Sequence, residues 1–295
     1  MKIVRYGPAG AERPGLIDPE GRVRSLWPLL TDIDARALTP ELLAVLKAID
    51  PMALPLAPHG ARLGAPVGNI RQILAVAVNY ADHGAERGNE VPAEPVVFHK
   101  SVGSLSGPTD PIVLPPATVE NDWEIELGIL IGSRAKRVSE SEASACVAGY
   151  CLLNDVTERH WQHKRSGQLN KGKSFDTFTP IGPWLLTADS VEDPQALDMW
   201  LDLNGVRRQE ASTSQMIYGV AKLVSYISQF MTLEPGDLIA SGTPAGVGAA
   251  CKPPVFLQAG DRLEFGITGL GEQSHAVVRD PSDAVVLIQP KSAVG

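Results

Sequence analysis

Short apolar runs, rich in β-branched residues and broken by glycine and proline, make up most of the chain after about residue 70. Such runs predict β-strands, because branched side chains suit a pleated sheet and Gly and Pro interrupt it. The predicted strands cover residues 73–78, 96–99, 124–131, 149–154, 184–186, 238–241, 262–267 and 276–278. Regular alternation of strand and helix is missing, so the pattern disfavours a Rossmann or TIM-barrel layout and favours an α+β, mainly β fold.

Two helices are predicted among these strands. The first starts at the capping box formed by Ser139 and Glu142 and ends near Gly149. The second covers about residues 214–230 and carries apolar side chains at helical spacing. Those side chains are Met216, Ile217, Val220, Leu223, Val224, Ile227 and Phe230. The stripe predicts a helix that packs one face on the core.

The N-terminal part of the chain predicts a small unit of its own. It contains a strand at residues 2–6, a hairpin around residues 18–21 and a short helix with Thr39 as N-cap and Pro40 at its first position. The proline-rich stretch at residues 51–60 cannot continue a helix and is typical of a connector. We therefore divide the chain into a small N-terminal domain with its connector, residues 1–68, and a larger domain, residues 69–295.

Charge and composition narrow the function classes. The formal net charge of -8, without a long basic run, argues against nucleic acid as a partner. The N-terminus lacks the apolar stretch of a signal peptide, and no later stretch is long enough to span a bilayer. The three cysteines, Cys146, Cys151 and Cys251, lack metal-ligand spacing. We expect a protein of the reducing cytoplasm with no membrane partner.

Two acids alternate with apolar residues in one predicted strand, and a third ends the next. Glu124 and Glu126 share a strand face because side chains two apart point the same way, and Asp155 follows the apolar run 150–153. Buried together, three carboxylates would need a cation, and oxygen ligands suit Mg²⁺ or Mn²⁺. The alternative is that the acids line the solvent face of an antiparallel sheet.

Residues 167–174 match the Walker A pattern letter for letter. A phosphate-binding loop must leave a buried strand and open a helix, and neither flank fits this requirement. The context therefore favours another role, and Lys173 is a cation placed shortly after the candidate ligand Asp155.

Two further segments offer groups for chemistry. His83 and Glu86 lie three residues apart after the strand 73–78, so a helical turn would let them hydrogen-bond as a general base pair on a glycine-containing lid. A surface ion pair is the alternative. In the glycine-rich segment 234–248, the Thr243 hydroxyl or nearby amides could contact a ligand, or the segment could be a set of tight turns.

Five segments, in order within residues 70–280, together resemble the fumarylacetoacetate hydrolase family. They are Asn79-Tyr80-Ala81-Asp82-His83, Trp123-Glu124-Ile125-Glu126-Leu127, Asn154-Asp155-Val156-Thr157-Glu158-Arg159, Gly172-Lys173-Ser174-Phe175-Asp176 with Pro180-Ile181-Gly182-Pro183, and Ser241-Gly242-Thr243-Pro244-Ala245-Gly246-Val247-Gly248. The resemblance implies a mixed β-roll catalytic domain and a homodimer.

The resemblance also implies roles for individual residues. Glu124, Glu126 and Asp155 would bind Mg²⁺ or Mn²⁺, and His83 with Glu86 would activate water on a mobile lid. The residues implied to contact the substrate are Tyr80, Arg159, Gln162, Thr243 and Lys173, the last also with a catalytic role.

The amino-acid sequences of these segments are most similar to those of bacterial 2,4-diketo-3-deoxy-sugar-acid hydrolases of the L-rhamnonate type. This similarity implies hydrolysis of a carbon–carbon bond to pyruvate and L-lactate in L-rhamnose catabolism, and the basic and amide residues between Asp155 and Lys173 suggest a polar substrate tail. The alternatives are an oxaloacetate decarboxylase, another acylpyruvate hydrolase or isomerase of the family, and a nucleotide-binding protein using residues 167–174.

Overall fold

The computed structural model describes residues 1–88 and 90–281. Its strands are β1 (Lys2–Tyr6), β2 (Arg13–Ile17), β3 (Val23–Ser25), β4 (Ile73–Ala77), β5 (Val96–Lys100), β6 (Leu105–Ser106), β7 (Ile112–Leu114), β8 (Asn121–Asp122), β9 (Ile125–Ile131), β10 (Val147–Asn154), β11 (Thr157–Glu158), β12 (Thr179–Thr187), β13 (Asp198–Leu203), β14 (Val206–Ser212), β15 (Leu238–Ala240), β16 (Arg262–Ile267) and β17 (Gly271–Arg279). Its helices are α1 (Pro40–Lys47), α2 (Ala81–Glu86), α3 (Glu140–Ala143), α4 (Arg159–His163), α5 (Leu169–Lys173) and α6 (Val220–Phe230). The predicted α+β, mainly β class is confirmed.

The largest sheet is mixed and holds the candidate ligands near its centre. Its order is β3-β2-β1-β12-β10-β9-β15-β4-β5, with β6 added beside β12. Strand β15 runs parallel to β4 and antiparallel to β9. Both faces of β9 and β10 are buried, because one apolar cluster contains Ile125 and Leu127 while another contains Leu130 and Leu153. Acids carried by these strands therefore lie in the interior.

The N-terminal hairpin belongs to this same sheet. Strand β1 pairs antiparallel with β12, with Lys2 opposite Leu186 and Ile3 opposite Leu185. The main sheet thus runs without a break from the N-terminal strands to the strands of the candidate site. The division of the chain near residue 68 stays a prediction.

A second sheet of five strands, in the order β14-β13-β16-β17-β7, covers part of the core. Strands β13 and β14 had no counterpart among the predicted strands. They form a hairpin in which Leu203 pairs with Val206 across Asn204 and Gly205, two residues with positive φ angles. An Asn-Gly pair between alternating runs is a strong hairpin signal, so the sequence did contain the information.

Two predicted helices are shorter in the structure. The helix at Ser139 ends at Ala143, and β10 already begins at Val147, before the predicted helix end at Gly149. Helix α6 begins at Val220 rather than near residue 214. The apolar stripe is only partly buried, since Leu223, Val224 and Ile227 are in the core whereas Phe230 is 59% exposed. The predicted helix at Thr39 is confirmed as α1.

Helix α6, with 11 residues, is the longest in the described ranges. No helix in these ranges combines the length and apolarity needed to cross a membrane.

Candidate active site

Three acids converge where β9 begins and β10 ends. Strand pairing places Asn154 opposite Ile125, so the residues that flank this pair, Glu124 and Asp155, are neighbours, and the Asp155 amide donates to the Glu124 carbonyl at 2.8 Å. Carboxylate oxygens of Glu124, Glu126 and Asp155 all lie within 4.8 Å of one another. The three residues are 5%, 1% and 1% exposed. This burial excludes a solvent-facing strand as the reason for the alternating acids.

Three basic side chains surround the acids. Lys173 Nζ lies 2.7 Å from Glu124 Oε2 and 2.6 Å from Asp155 Oδ2. Lys100 Nζ pairs with the other Asp155 oxygen and donates to the Phe178 carbonyl at 2.8 Å. Arg159 Nη2 lies 2.7 Å from Glu124 Oε1. The pKa of Lys173 is raised, because its acidic neighbours Asp155 and Glu124 outweigh the effect of burial.

Glu126 is the acid of the three without a basic partner among residues 1–88 and 90–281. Its Oε2 accepts one hydrogen bond, from the Gly242 amide at 2.8 Å. Burial and the adjacent charges of Asp155 and Glu124 raise the pKa of Glu126 well above its usual value. For Glu124, burial also favours the neutral form, but Lys173 and Arg159 hold its pKa low. Glu126 thus has no cation to neutralise it in the described ranges, and the oxygen-only donor set of the three acids fits a hard divalent cation.

The segment that matches the Walker A pattern has a different structure from a phosphate-binding loop. Its residues 169–173 form the short helix α5, and the element before it is helix α4 rather than a strand. Gly172 packs closely on α4 and its surroundings, because a Cβ there would lie 2.4 Å from the Glu158 carbonyl oxygen. The lysine of the motif points to carboxylates, as the ion pairs of Lys173 show. The structural context is therefore not that of a nucleotide site.

Helix α2 holds the predicted general base pair. His83 Nδ1 lies 2.8 Å from Glu86 Oε1, and Glu86 Oε2 accepts a hydrogen bond from the Gly246 amide at 2.9 Å. His83 lines a cavity of about 160 Å³ that Glu124, Glu126 and Lys173 also line. His83 thus lines the same cavity as two of the three acids. Glu86 holds the imidazole with one carboxylate oxygen, and the Gly246 amide holds Glu86 by the other.

Comparison with known proteins identifies the family. The family model described as fumarylacetoacetate (FAA) hydrolase C-terminal matches residues 72–278. The chain belongs to the fumarylacetoacetate hydrolase family. A Burkholderia lata relative, whose name describes it as a hydrolase without a substrate, is 52% identical over 274 residues, which cover 92% of this chain and 97% of that protein.

Two solved structures support the fold and the kind of chemistry of this family member. A fumarylacetoacetate hydrolase from Exiguobacterium antarcticum has a TM-score of 0.81 at 36% identity, covering 95% of this chain and 100% of that one. A maleylpyruvate hydrolase from Sphingobium sp. SYK-6, solved with manganese(II) and pyruvate, has a TM-score of 0.76 at 34% identity, covering 95% and 99%. These relatives support a hydrolase activity, and the three acids have the geometry to hold a metal ion.

Most of the residues that the family resemblance assigns to substrate line the cavity. They are Arg159, Gln162, Lys173 and Thr243. Gln162 Oε1 accepts from Arg159 Nη1 at 3.2 Å. The Thr243 hydroxyl donates to the Ile125 carbonyl at 2.9 Å and accepts from Gln209 Nε2 at 2.8 Å, which attaches it to the start of β9. Their roles toward a substrate stay predictions.

Tyr80 is the exception among the predicted substrate contacts. Its side chain is fully buried, its hydroxyl lies 3.8 Å from Met199 Sδ, and it is absent from the cavity lining. Tyr80 precedes helix α2 in extended conformation, so its side chain packs into the core while the helix carries His83 to the cavity. In the structure, Tyr80 packs in the core next to the start of helix α2 and does not line the site.

Sequence reasoning missed two buried charges that organise the acidic cluster. Lys100 was left outside a predicted strand that stopped at residue 99, although β5 continues through it. Asp122 is fully buried and pairs with Arg159 at 2.8 Å. It also accepts from the amides of Gly248 at 2.6 Å and Ala249 at 3.0 Å. Both residues could have been found from the sequence, because each is a charged residue at the end of a strand, where a buried charge needs a partner.

Proposed function

We propose that this chain is a metal-dependent hydrolase that cleaves a carbon–carbon bond of a 2,4-diketo acid and releases pyruvate. The observation that carries the proposal is that one cavity is lined by two acids of the buried carboxylate cluster and by His83, which pairs with Glu86. The first suits recognition of a 2-keto acid through a cation, and the second suits activation of water. The maleylpyruvate hydrolase solved with manganese and pyruvate adds support.

The residues that would hold Mg²⁺ or Mn²⁺ are Glu124, Glu126 and Asp155. When bound, the ion would supply positive charge for the 2-keto acid end of the substrate and for the negative charge that develops on the departing pyruvate. Lys173 adds a fixed positive charge at the same end, where its two ion pairs hold it. Lys100 and Arg159 each hold one ligand acid in place.

His83 is placed to take a proton from water as that water attacks the 4-keto carbon. Glu86 accepts a hydrogen bond from His83 Nδ1. This bond orients the imidazole and stabilises the positive charge that the imidazole gains with the proton. The bond between carbons 3 and 4 then breaks, its electron pair leaves with the pyruvate unit, and the proton held by His83 returns to carbon 3. The hydroxyl stays on the acyl product. General-base assistance of this kind contributes about 10²–10⁴-fold.

A chelator experiment tests the proposal. Removal of divalent metal with EDTA is expected to abolish pyruvate release, and added Mn²⁺ or Mg²⁺ is expected to restore it. Full activity in the metal-free protein would overturn the assignment. The first compound to assay is 2,4-diketo-3-deoxy-L-rhamnonate, which the sequence resemblance suggests and which would give pyruvate and L-lactate.

The alternative within the family is decarboxylation of oxaloacetate, which needs the same acid-recognising end but no attacking water. The His83–Glu86 contact beside the cavity supports hydrolysis, because a decarboxylase needs no base to activate water. Carbon dioxide in the product mixture, with no carboxylic acid beside pyruvate, would instead indicate a decarboxylase.

Cytoplasmic location and assembly into a homodimer also remain proposals. Light scattering on the purified protein measures the second, for which we expect a mass of about twice the 31.4 kDa chain.

A further inference from the structure

Two cavity-lining residues remain outside the mechanism proposed above. Arg87 caps the C-terminus of helix α2, and His163 ends helix α4. Both line the cavity that Glu124 and Glu126 also line. Arg87 Nη2 donates to His163 Nε2 at 3.2 Å, so the pair connects the lid helix with α4 across the cavity.

The spacing along the two helices places this pair at the far end of the cavity. Arg87 follows His83 by four residues, and His163 follows Arg159 by four residues. Four helical residues rise about 6 Å, so each helix presents an inner side chain near the acids and an outer one a turn away. Arg159 is bonded to Glu124, which fixes the inner end.

Arg87 is a half-buried cation whose hydrogen bond to His163 is exposed to solvent. It forms no ion pair with any carboxylate in the described residues, and its one side-chain partner there is the imidazole of His163. His163 is exposed at the surface. Partial desolvation, with Arg159 and Arg87 nearby, lowers the pKa of its imidazole, and the neutral ring accepts through Nε2. A guanidinium remains charged at that pH and carries five donors in a planar fork. Most of these donors are therefore free to bind a ligand.

We propose that Arg87, with His163 beside it, binds an anionic group at the tail of the substrate, a carboxylate on the side remote from the 2-keto acid. This inference rests on the proposed function and narrows its substrate class to diketo diacids. The uncharged tail of the deoxyrhamnonate derivative would leave the Arg87 charge without a counterion. A carboxylate would accept a bidentate hydrogen bond from the fork and replace His163 as its acceptor.

Two diketo acids of equal length test the contribution of the tail carboxylate alone, because they differ only in the group at the end of the tail. 2,4-Dioxoheptanedioate carries a terminal carboxylate and would give pyruvate and succinate, whereas 2,4-dioxoheptanoate ends in a methyl group and would give pyruvate and butyrate. For the wild-type enzyme loaded with Mn²⁺, we expect kcat/KM for the diacid to exceed that for the monoacid by about tenfold or more. Pyruvate release measures both.

Substitution of Arg87 is expected to remove this preference. R87Q should lower kcat/KM for the diacid about 10- to 100-fold, mainly through KM, and change the monoacid value by less than about twofold. R87K, which keeps the charge but loses the fork, should retain part of the preference. The matched control is R165Q, because Arg165 is exposed, stacks on Trp161 and lies outside the cavity. It should leave both values unchanged.

Equal wild-type activity on the two acids, or an equal loss on both in R87Q, would overturn the tail assignment while leaving the proposed reaction intact. Pyruvate from neither acid would instead overturn the proposed reaction. In that case calorimetric binding of the two acids to Mn²⁺-loaded H83A, with and without R87Q, decides the tail assignment. Weaker binding of the diacid alone in R87Q supports it, and an equal change for both acids refutes it.

Discussion

Glu86 and Gly246 are joined by a hydrogen bond in which the Gly246 amide donates to Glu86 Oε2 at 2.9 Å. The other Glu86 oxygen contacts His83. The glycine-rich loop therefore orients the candidate base indirectly, through Glu86. Gly246 has a φ angle of +105°, and a Cβ there would lie 2.0 Å from the Arg208 carbonyl oxygen. The loop can take this shape because the residue has no side chain.

Replacing Gly246 by alanine should therefore disturb catalysis without removing a functional group. The added methyl must push the loop from Arg208 and displace the amide that holds Glu86, and a shift of about 1 Å can lower a rate about 100-fold. We expect pyruvate release to fall by about this factor while metal still binds. Gly205→Ala is the control, since Gly205 has a φ angle of +75° and no atom within 4 Å of its Cβ position. Equal activity in the two variants would refute the link.

His83→Ala should separate binding from chemistry. The carboxylate cluster lies on strands that this change does not touch, so the metal-induced rise in melting temperature should persist. Pyruvate release should fall about 10²–10⁴-fold, because general-base assistance is lost. His59→Ala, at an exposed residue of the proline-rich connector, is expected to behave as wild type. Undiminished turnover by His83→Ala would point to decarboxylation or tautomerisation.

Glu126→Gln should make the protein insensitive to metal while leaving the metal-free fold at least as stable. The reason is that Glu126 is a buried acid beside two other acids and without a basic partner in the described ranges. In wild type, metal at about 100 times its Kd should add about 2.7 kcal/mol to the free energy of unfolding. Denaturant titrations with and without Mn²⁺ measure this. A metal-dependent gain in Glu126→Gln equal to that of wild type contradicts the ligand assignment, and the surface variant Glu140→Gln should keep the gain.

Asp122→Asn tests the buried charge that sequence reasoning missed. Asp122 forms an ion pair with Arg159 and accepts hydrogen bonds from two loop amides. The substitution leaves the buried guanidinium with one acid fewer, so it should lower the free energy of unfolding by about 3 kcal/mol. Asp202→Asn removes the acid from an ion pair with the 43%-exposed Arg207 and should cost less than about 1 kcal/mol. Urea unfolding compares the two, and similar losses would argue against a special role for Asp122.

Nucleotide is expected to have no effect on the protein. ATP with Mg²⁺ should give the same melting temperature as Mg²⁺ alone, because Lys173 is held by Glu124 and Asp155 in a short helix that follows no strand. A further rise with ATP that survives loss of Glu124 and Glu126 would restore the nucleotide-binding alternative.

The local parts of the site could be predicted from sequence, since they depend on spacing within one element. Glu124 and Glu126 share a strand face, and His83 and Glu86 meet within one helical turn. The register between strands could not be predicted in this way. That Asp155 lies beside Glu124 follows from the pairing of β9 with β10, which no local pattern specifies.

The same limit explains the contacts that were missed. Lys100 reaches Asp155 from β5, although the three strands β4, β15 and β9 lie between β5 and β10 in the sheet. Tyr80 was assigned to the substrate from its place in a motif, but the extended conformation before α2 turns it into the core. Both outcomes depend on tertiary packing rather than on spacing.

The acids proposed to hold the metal lie on or beside strands in the middle of the main sheet. Arg87 instead caps a helix of six residues, and His163 ends a helix of five. Substitutions on these short helices leave the strand pairing around Glu124 and Asp155 untouched. Leu169 also lines the cavity from the short helix α5. A small library at positions 87, 163 and 169 is therefore a practical route to enzymes that accept new acyl tails while still delivering pyruvate.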